Sequence, residues 1–262
     1  MNILHDIAAD TRKRVEARKL VVSVQEVRDA ARALPAATGF PFEAALRGGD
    51  IALICEVKKA SPSKGVIARD FSALRITRDY EAAGAAAISV LTEPRWFQGD
   101  DRFLQEIAGA VTLPLLRKDF IVDSYQIYEA KVLGASAVLL ICSLLDQDTL
   151  AEYVAVARDL GLSALVEAHT EDEARRALDV GARVIGVNNR NLETFEVDIT
   201  LSERLRAKIP PEVLFVAESG IQTPGDVARL RAIGADAALV GEVVMRSDDK
   251  QATIAWLKGA CA

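Results

Sequence analysis

Histidine and cysteine are scarce in this sequence, and each scarcity narrows the range of function. Two histidines, His5 and His169, occur among 262 residues, too few for a histidine-built metal site. The three cysteines, Cys55, Cys142 and Cys261, are odd in number and form no CxxC pair. That argues against a disulfide framework or a zinc site and fits a reducing cytoplasm. No stretch approaches the roughly 20 apolar residues that a membrane-spanning helix needs. The opening MNILHDIAADTRKRVEARK carries charge throughout; it lacks the apolar core of a secretion signal and reads as an amphipathic helix. Positive charge is not in excess either. The formal net charge is −6, so broad attraction to nucleic acid is not expected, while a local cationic pocket stays open.

Hydrophobic residues, by contrast, make up 50% of the chain, enough for the core of one large α/β domain covering residues 1–262. From about residue 50 onward, short apolar runs alternate with helical stretches. The runs are IALICEV from Ile51, AAISVLT from Ala86, LPLLRKD from Leu113, AVLLIC from Ala137, SALVEA from Ser163, RVIGVNN from Arg183, VLFVAES from Val213 and AALVGE from Ala237. Continuous apolar strands separated by helices imply a parallel sheet buried on both faces. A Gly-Ala pair precedes every second run, at Gly84, Gly134, Gly181 and Gly234, where glycine suits the left-handed residue that ends a helix. The repeat spans two βα units. No GxGxxG turn follows the first run, so eight strands at this pitch predict a closed (β/α)8 barrel rather than an open dinucleotide-binding sheet. Residues 1–50 lie outside the repeat as a helical extension, with helices expected up to Lys19, over Val24 to Leu34 and over Pro41 to Arg47. It is placed to cover one barrel end, and the sequence does not say which.

Chemistry in such barrels gathers at the C-terminal strand ends. The first run ends in Glu56 and Lys58, in phase with Ala52 and Ile54. The third ends in Lys118, in phase with Leu116, and the fifth in Glu167, in phase with Leu165. Alternate side chains share a face, and all three strands are odd-numbered, so these groups are expected to converge. Two lysines and two carboxylates at an apolar-walled mouth suit proton transfer, because burial and pairing tune their proton affinities. Each also has a plainer reading: Glu56 and Lys58 as a surface ion pair, Lys118 with Arg117 and Asp119 as a surface cluster, Glu167 as loop polarity.

At the seventh run, Ser219 and Gly220 follow Glu218, and Gly241 and Glu242 end the eighth. Loops after these strands often bind phosphate through backbone N–H groups. The first loop adds hydroxyls at Ser61 and Ser63, and Pro62 stiffens it. Asn188, Asn189 and Arg190 end the sixth run, where a neutral amide can orient a hydroxyl or carbonyl. Trp96 and Phe97, in the second loop, either wall an aryl pocket or cap the core.

Taken together, CEVKKASPSKG from Cys55, LTEPRWFQGD from Leu91, LLRKDFIVDSYQI from Leu115, LVEAH from Leu165, IGVNNRNL from Ile185, AESGI from Ala217 and LVGEVVM from Leu239 resemble the indole-3-glycerol-phosphate synthase family. The likeness runs in order over nearly the whole chain. It implies the substrate 1-(2-carboxyphenylamino)-1-deoxyribulose 5-phosphate, closed to indole-3-glycerol phosphate with loss of carbon dioxide and water, and no metal or organic cofactor. By the same resemblance Lys118 is the general acid at the ribulose carbonyl and Glu167 its partner acid/base. Glu56 and Lys58 form an orienting pair that takes part in dehydration, and Asn188 and Ser219 orient the substrate. Ser61, Arg190, Gly220 and Gly241 match substrate- and phosphate-binding positions, and Trp96 and Phe97 the aromatic walls. Glu242 departs from the small hydroxyl residue of some relatives, so its carboxylate is expected to turn away and leave the phosphate to backbone N–H groups.

Two rivals stand beside this. A phosphoribosylanthranilate isomerase would use a cysteine and an aspartate at the mouth, but Cys55 is out of phase with Glu56 and Lys58. A non-catalytic binding or assembly subunit would have no need for the acid/base set. The chain is read as a monomer, since nothing in it demands a partner, and as compatible with joining a pathway complex.

Overall fold

The computed structural model describes residues 3–68, 70–191 and 194–259; Cys261 lies outside them. Eight parallel strands close on themselves, with the first bonded to both the second and the eighth. They are Ala52–Val57, Ala87–Leu91, Leu115–Lys118, Ala137–Ile141, Ser163–Ala168, Val184–Asn188, Leu214–Glu218 and Ala237–Val240, and helices separate successive strands. Each lies within two residues of an apolar run in the sequence, because strands covered on both faces leave little room for polar residues. The four Gly-Ala glycines adopt φ of 78°, 89°, 73° and 74°, the left-handed helix stops that their spacing predicts. Side chains divide by phase. Ile54, Leu116, Leu165, Leu214 and Val216 fill the barrel interior, while Leu53, Cys55, Ile88 and Val166 face the surrounding helices.

The extension covers both ends of the barrel rather than one. Helix Ile3–Lys19 lies at the C-terminal mouth. There Arg14 reaches Glu93 and Asp119, and Arg18 reaches Glu129 at 2.7 Å and also pairs with Asp101. Helix Val24–Ala33 begins with a Ser23–Glu26 capping box and packs on helix Tyr125–Val132. Helix Pro41–Leu46 stops the opposite end, with Phe42 and Leu46 joining the interior apolar cluster. Glu43 is buried beside them and accepts bonds from Ser163 Oγ at 3.1 Å and Arg183 Nη2 at 2.7 Å. No described helix is long and apolar enough to cross a membrane.

Candidate active site

The C-terminal strand ends enclose a cavity lined by Glu56, Lys58, Ser61, Lys118, Glu167, Asn188, Arg190, Ser219, Gly220, Gly241, Glu242 and Phe97. Every sequence-selected residue therefore meets there except Trp96 and Asn189. The Trp96 indole N–H points instead at Asp10 Oδ2 of the first helix, 3.2 Å away, and its ring lies beside the Arg95 guanidinium. Phe120 stands nearer the chemistry, 5.9 Å from Phe97 between ring centroids. Ile3, Leu4 and Ile7 of the first helix complete the apolar wall. A linear reading cannot foresee that wall, because the helix arrives from far away in the chain.

The four odd-numbered strands end in Glu56, Lys118, Glu167 and Glu218, all lining the mouth. Glu218 is the residue the sequence reading passed over. It sits inside AESG, which looks like a phosphate turn, yet it is in phase with Leu214 and Val216 of the interior. That phase, applied to the fourth odd strand as to the other three, was the available signal. Lys118 Nζ donates to Glu218 Oε2 at 2.9 Å and to Glu167 Oε2 at 3.2 Å. Lys58 pairs with Glu56. Arg117 and Asp119, the alternative partners for a surface cluster around Lys118, are instead buried: Arg117 binds Asp101, Asp119 and Glu129, and Asp119 stands at the edge of the cavity.

Proton affinities in this ring are pulled in opposite directions. Burial alone would lower Lys118, but Glu218, Glu167 and Glu56 outweigh it and hold the ammonium well above its ordinary value. Burial alone would raise Glu167, but Lys118, His169 and a bond from the Asn188 side chain bring its carboxyl below the usual range. Glu218 is dominated by burial, aided by the negative charge of Glu167, and is pushed up to about 7 despite Lys118. One lysine thus keeps its proton, one carboxylate stays ionised, and one carboxyl is poised near neutrality. Separated affinities of this kind divide acid from base in a single pocket.

Missing side chains shape the site as well. A Cβ on Gly186 would stand 2.3 Å from Glu218 Oε1, and one on Gly241 would stand 2.6 Å from Glu56 Oε1. Both glycines make room for the charged ring, a demand on Gly241 separate from any phosphate. Ser219 and Gly220 take φ of 64° and 82°. This left-handed turn is anchored by Asn189 Nδ2 donating to the Ser219 carbonyl at 3.1 Å, so Asn189 supports the turn while Asn188 faces the cavity. The Glu242 carboxylate accepts from Arg246 Nε at 3.1 Å and lies 3.7 Å from Lys64 Nζ. It lines the cavity with its charge already paired. No group of three or more potential metal ligands forms among the described residues.

The chain is similar to known proteins over nearly its whole length. The family model described as indole-3-glycerol phosphate synthase matches residues 4–257. A protein of that name from Ruminiclostridium cellulolyticum is 55% identical over 258 residues, covering 98% of this chain and 99% of its own. Another of that name, from Endomicrobium trichonymphae, is 52% identical over 245 residues, covering 94% and 95%. Among solved structures, that of a 3-hexulose-6-phosphate synthase superposes with a TM-score of 0.63 at 19% identity, over 81% of this chain and 100% of the other. That likeness is one of fold.

Proposed function

The chain belongs to the indole-3-glycerol phosphate synthase family, and from that premise we propose a division of labour among its cavity residues. The reaction is a ring closure. A ring carbon of 1-(2-carboxyphenylamino)-1-deoxyribulose 5-phosphate attacks the ribulose carbonyl, carbon dioxide leaves, and loss of water gives indole-3-glycerol phosphate. This makes the enzyme a carboxy-lyase of tryptophan biosynthesis.

Lys118 protonates the carbonyl oxygen as the carbon–carbon bond forms. The observation that carries this assignment is its place between Glu167 and Glu218, which secures its proton at neutral pH. Glu218, poised near neutrality, returns a proton to Lys118 after the transfer. Glu167, held ionised, takes a proton in the later steps. The paired Lys58 and Glu56 orient the substrate and deliver a proton to the departing hydroxyl. Fixed charges in a water-poor pocket stabilise developing charge without reorganisation. Asn188 and Ser219 orient the substrate hydroxyls. Phe97 and Phe120 hold the anthranilate ring, with the first helix as its lid, and Trp96 contributes by fixing that helix. The phosphate lies towards Ser61, Arg190, Gly220 and Gly241, where backbone N–H groups meet it and the neutralised Glu242 carboxylate does not repel it. The enzyme works as a monomer in the cytoplasm.

The test is turnover of the carboxyphenylamino-deoxyribulose phosphate followed by indole fluorescence, with Lys118→Ala alongside. A loss of about 10²–10⁴ in rate is expected from removal of an essential acid. An unaffected variant would move that role, with Lys58 the next candidate.

A further inference from the structure

His169 follows Glu167 by two residues and points to the same side. Its Nε2 lies 3.5 Å from Glu167 Oε1, and its Nδ1 lies 3.4 Å from Glu173 Oε2. Lys118 holds the other Glu167 oxygen at 3.2 Å, so the Glu167 carboxylate is flanked on both sides. Nε2 is buried and makes no hydrogen bond, and the acceptor in front of it is Glu167 Oε1. The carboxylate that faces Nδ1 is itself anchored. Glu173, on helix Glu171–Asp179, accepts from the His169 backbone N–H at 2.6 Å, and Cys142 Sγ approaches the Glu173 carbonyl at 3.6 Å.

We propose that His169 is a positioning residue that grips the far oxygen of Glu167, so that Glu167 stays a carboxylate aimed at Lys118 through the proton transfers. This rests on the reading of Glu167 as acid/base. The charged groups around the ring favour its cationic form. Glu167 faces it from its own strand, Glu173 from the following helix and Glu218 from the seventh strand, and together they outweigh burial to raise its proton affinity. The nearby cation Arg176 is turned to the Cys142 and Leu145 carbonyls, not to the imidazole. Lys118 stands beyond Glu167.

The experiment is the pH profile of kcat/KM for His169→Gln beside the wild type and Glu167→Gln. Loss of a cation within a few ångströms makes Glu167 harder to ionise, so the acid limb should move up by about one unit, with KM at the plateau unchanged. The imidazole titration supplies a second readout, because a His5→Gln background leaves His169 as the single histidine. In that background the His169 signal should titrate above the ordinary histidine value, and lower once Glu167→Gln is added. An acid limb that coincides with the wild type, or an equal loss at every pH, would overturn the positioning role. If Glu167→Gln kept the full rate, both this inference and the acid/base reading would fall. If Glu167→Gln lost the rate while the His169→Gln limb stayed in place, this inference alone would fall.

Discussion

At its N-terminal end the barrel is stopped by Phe42 and Leu46, apolar side chains sealed into the interior, with one buried acid, Glu43, bonded to Ser163 and Arg183. At the C-terminal end the same odd strands finish in Glu56, Lys118, Glu167 and Glu218. The first end meets the packing demands of folding: apolar atoms leave water and the one buried acid is paired. The second violates those demands. It gathers three carboxylates and a lysine below the mouth, and Glu218 Oε1 is buried with no hydrogen-bond partner. A chain of this size is stable by only about 5–15 kcal/mol, so a concentration of buried charge is affordable at one end because the other end packs well.

Substitutions can break this contrast. The largest effect is expected from Lys118→Ala, about 10²–10⁴ in kcat, with the fold kept, which steady-state kinetics and thermal melting would read together. At the opposite end Phe42→Ala should cost about 3–5 kcal/mol of stability by cavity formation. Denaturant titration would detect that loss, while kcat per folded molecule stays near wild type. The smallest effect belongs to Glu242→Ala. The half-exposed pair with Arg246 contributes little, and stability should change by less than about 0.5 kcal/mol. A several-fold fall in KM on that change would mean that the carboxylate does repel the substrate phosphate.

Much of this contrast is legible in the sequence. The apolar runs announce the strands, and phase alone brings Lys118, Glu167 and Glu56 to one mouth, because strand alternation is a local rule. What escapes is what depends on distant packing. The first helix reaches the loops after the second and third strands through Arg14, and the helices that follow those loops through Arg18; no local pattern records those partners. Trp96 is drawn away from the cavity by Asp10 of the same helix, and Phe120 takes the inner position. Glu218 was hidden by its own neighbours, since Ser219 and Gly220 announce a turn before the strand phase is consulted. The extension reads as a cap for one end because its three short helices adjoin along the chain and no local pattern says where each one docks. The Pro35–Gly39 stretch lets them part.

The mouth holds its charge at the expense of stability and uses it for chemistry, and Glu218→Gln probes both halves of that trade. Burial raises the Glu218 carboxyl to about 7, so the folded chain binds that proton more tightly than the unfolded one. The resulting stabilisation is present in full below the ordinary carboxylate value and is lost as pH rises through about 7. Melting temperature and kcat of wild type and Glu218→Gln, measured from pH 5 to pH 8, therefore give a direct answer. The variant should become the more stable of the two as pH rises to 8, with the gap shrinking towards pH 5, and should be slower throughout. A variant less stable at pH 8, or equally active, would contradict that trade.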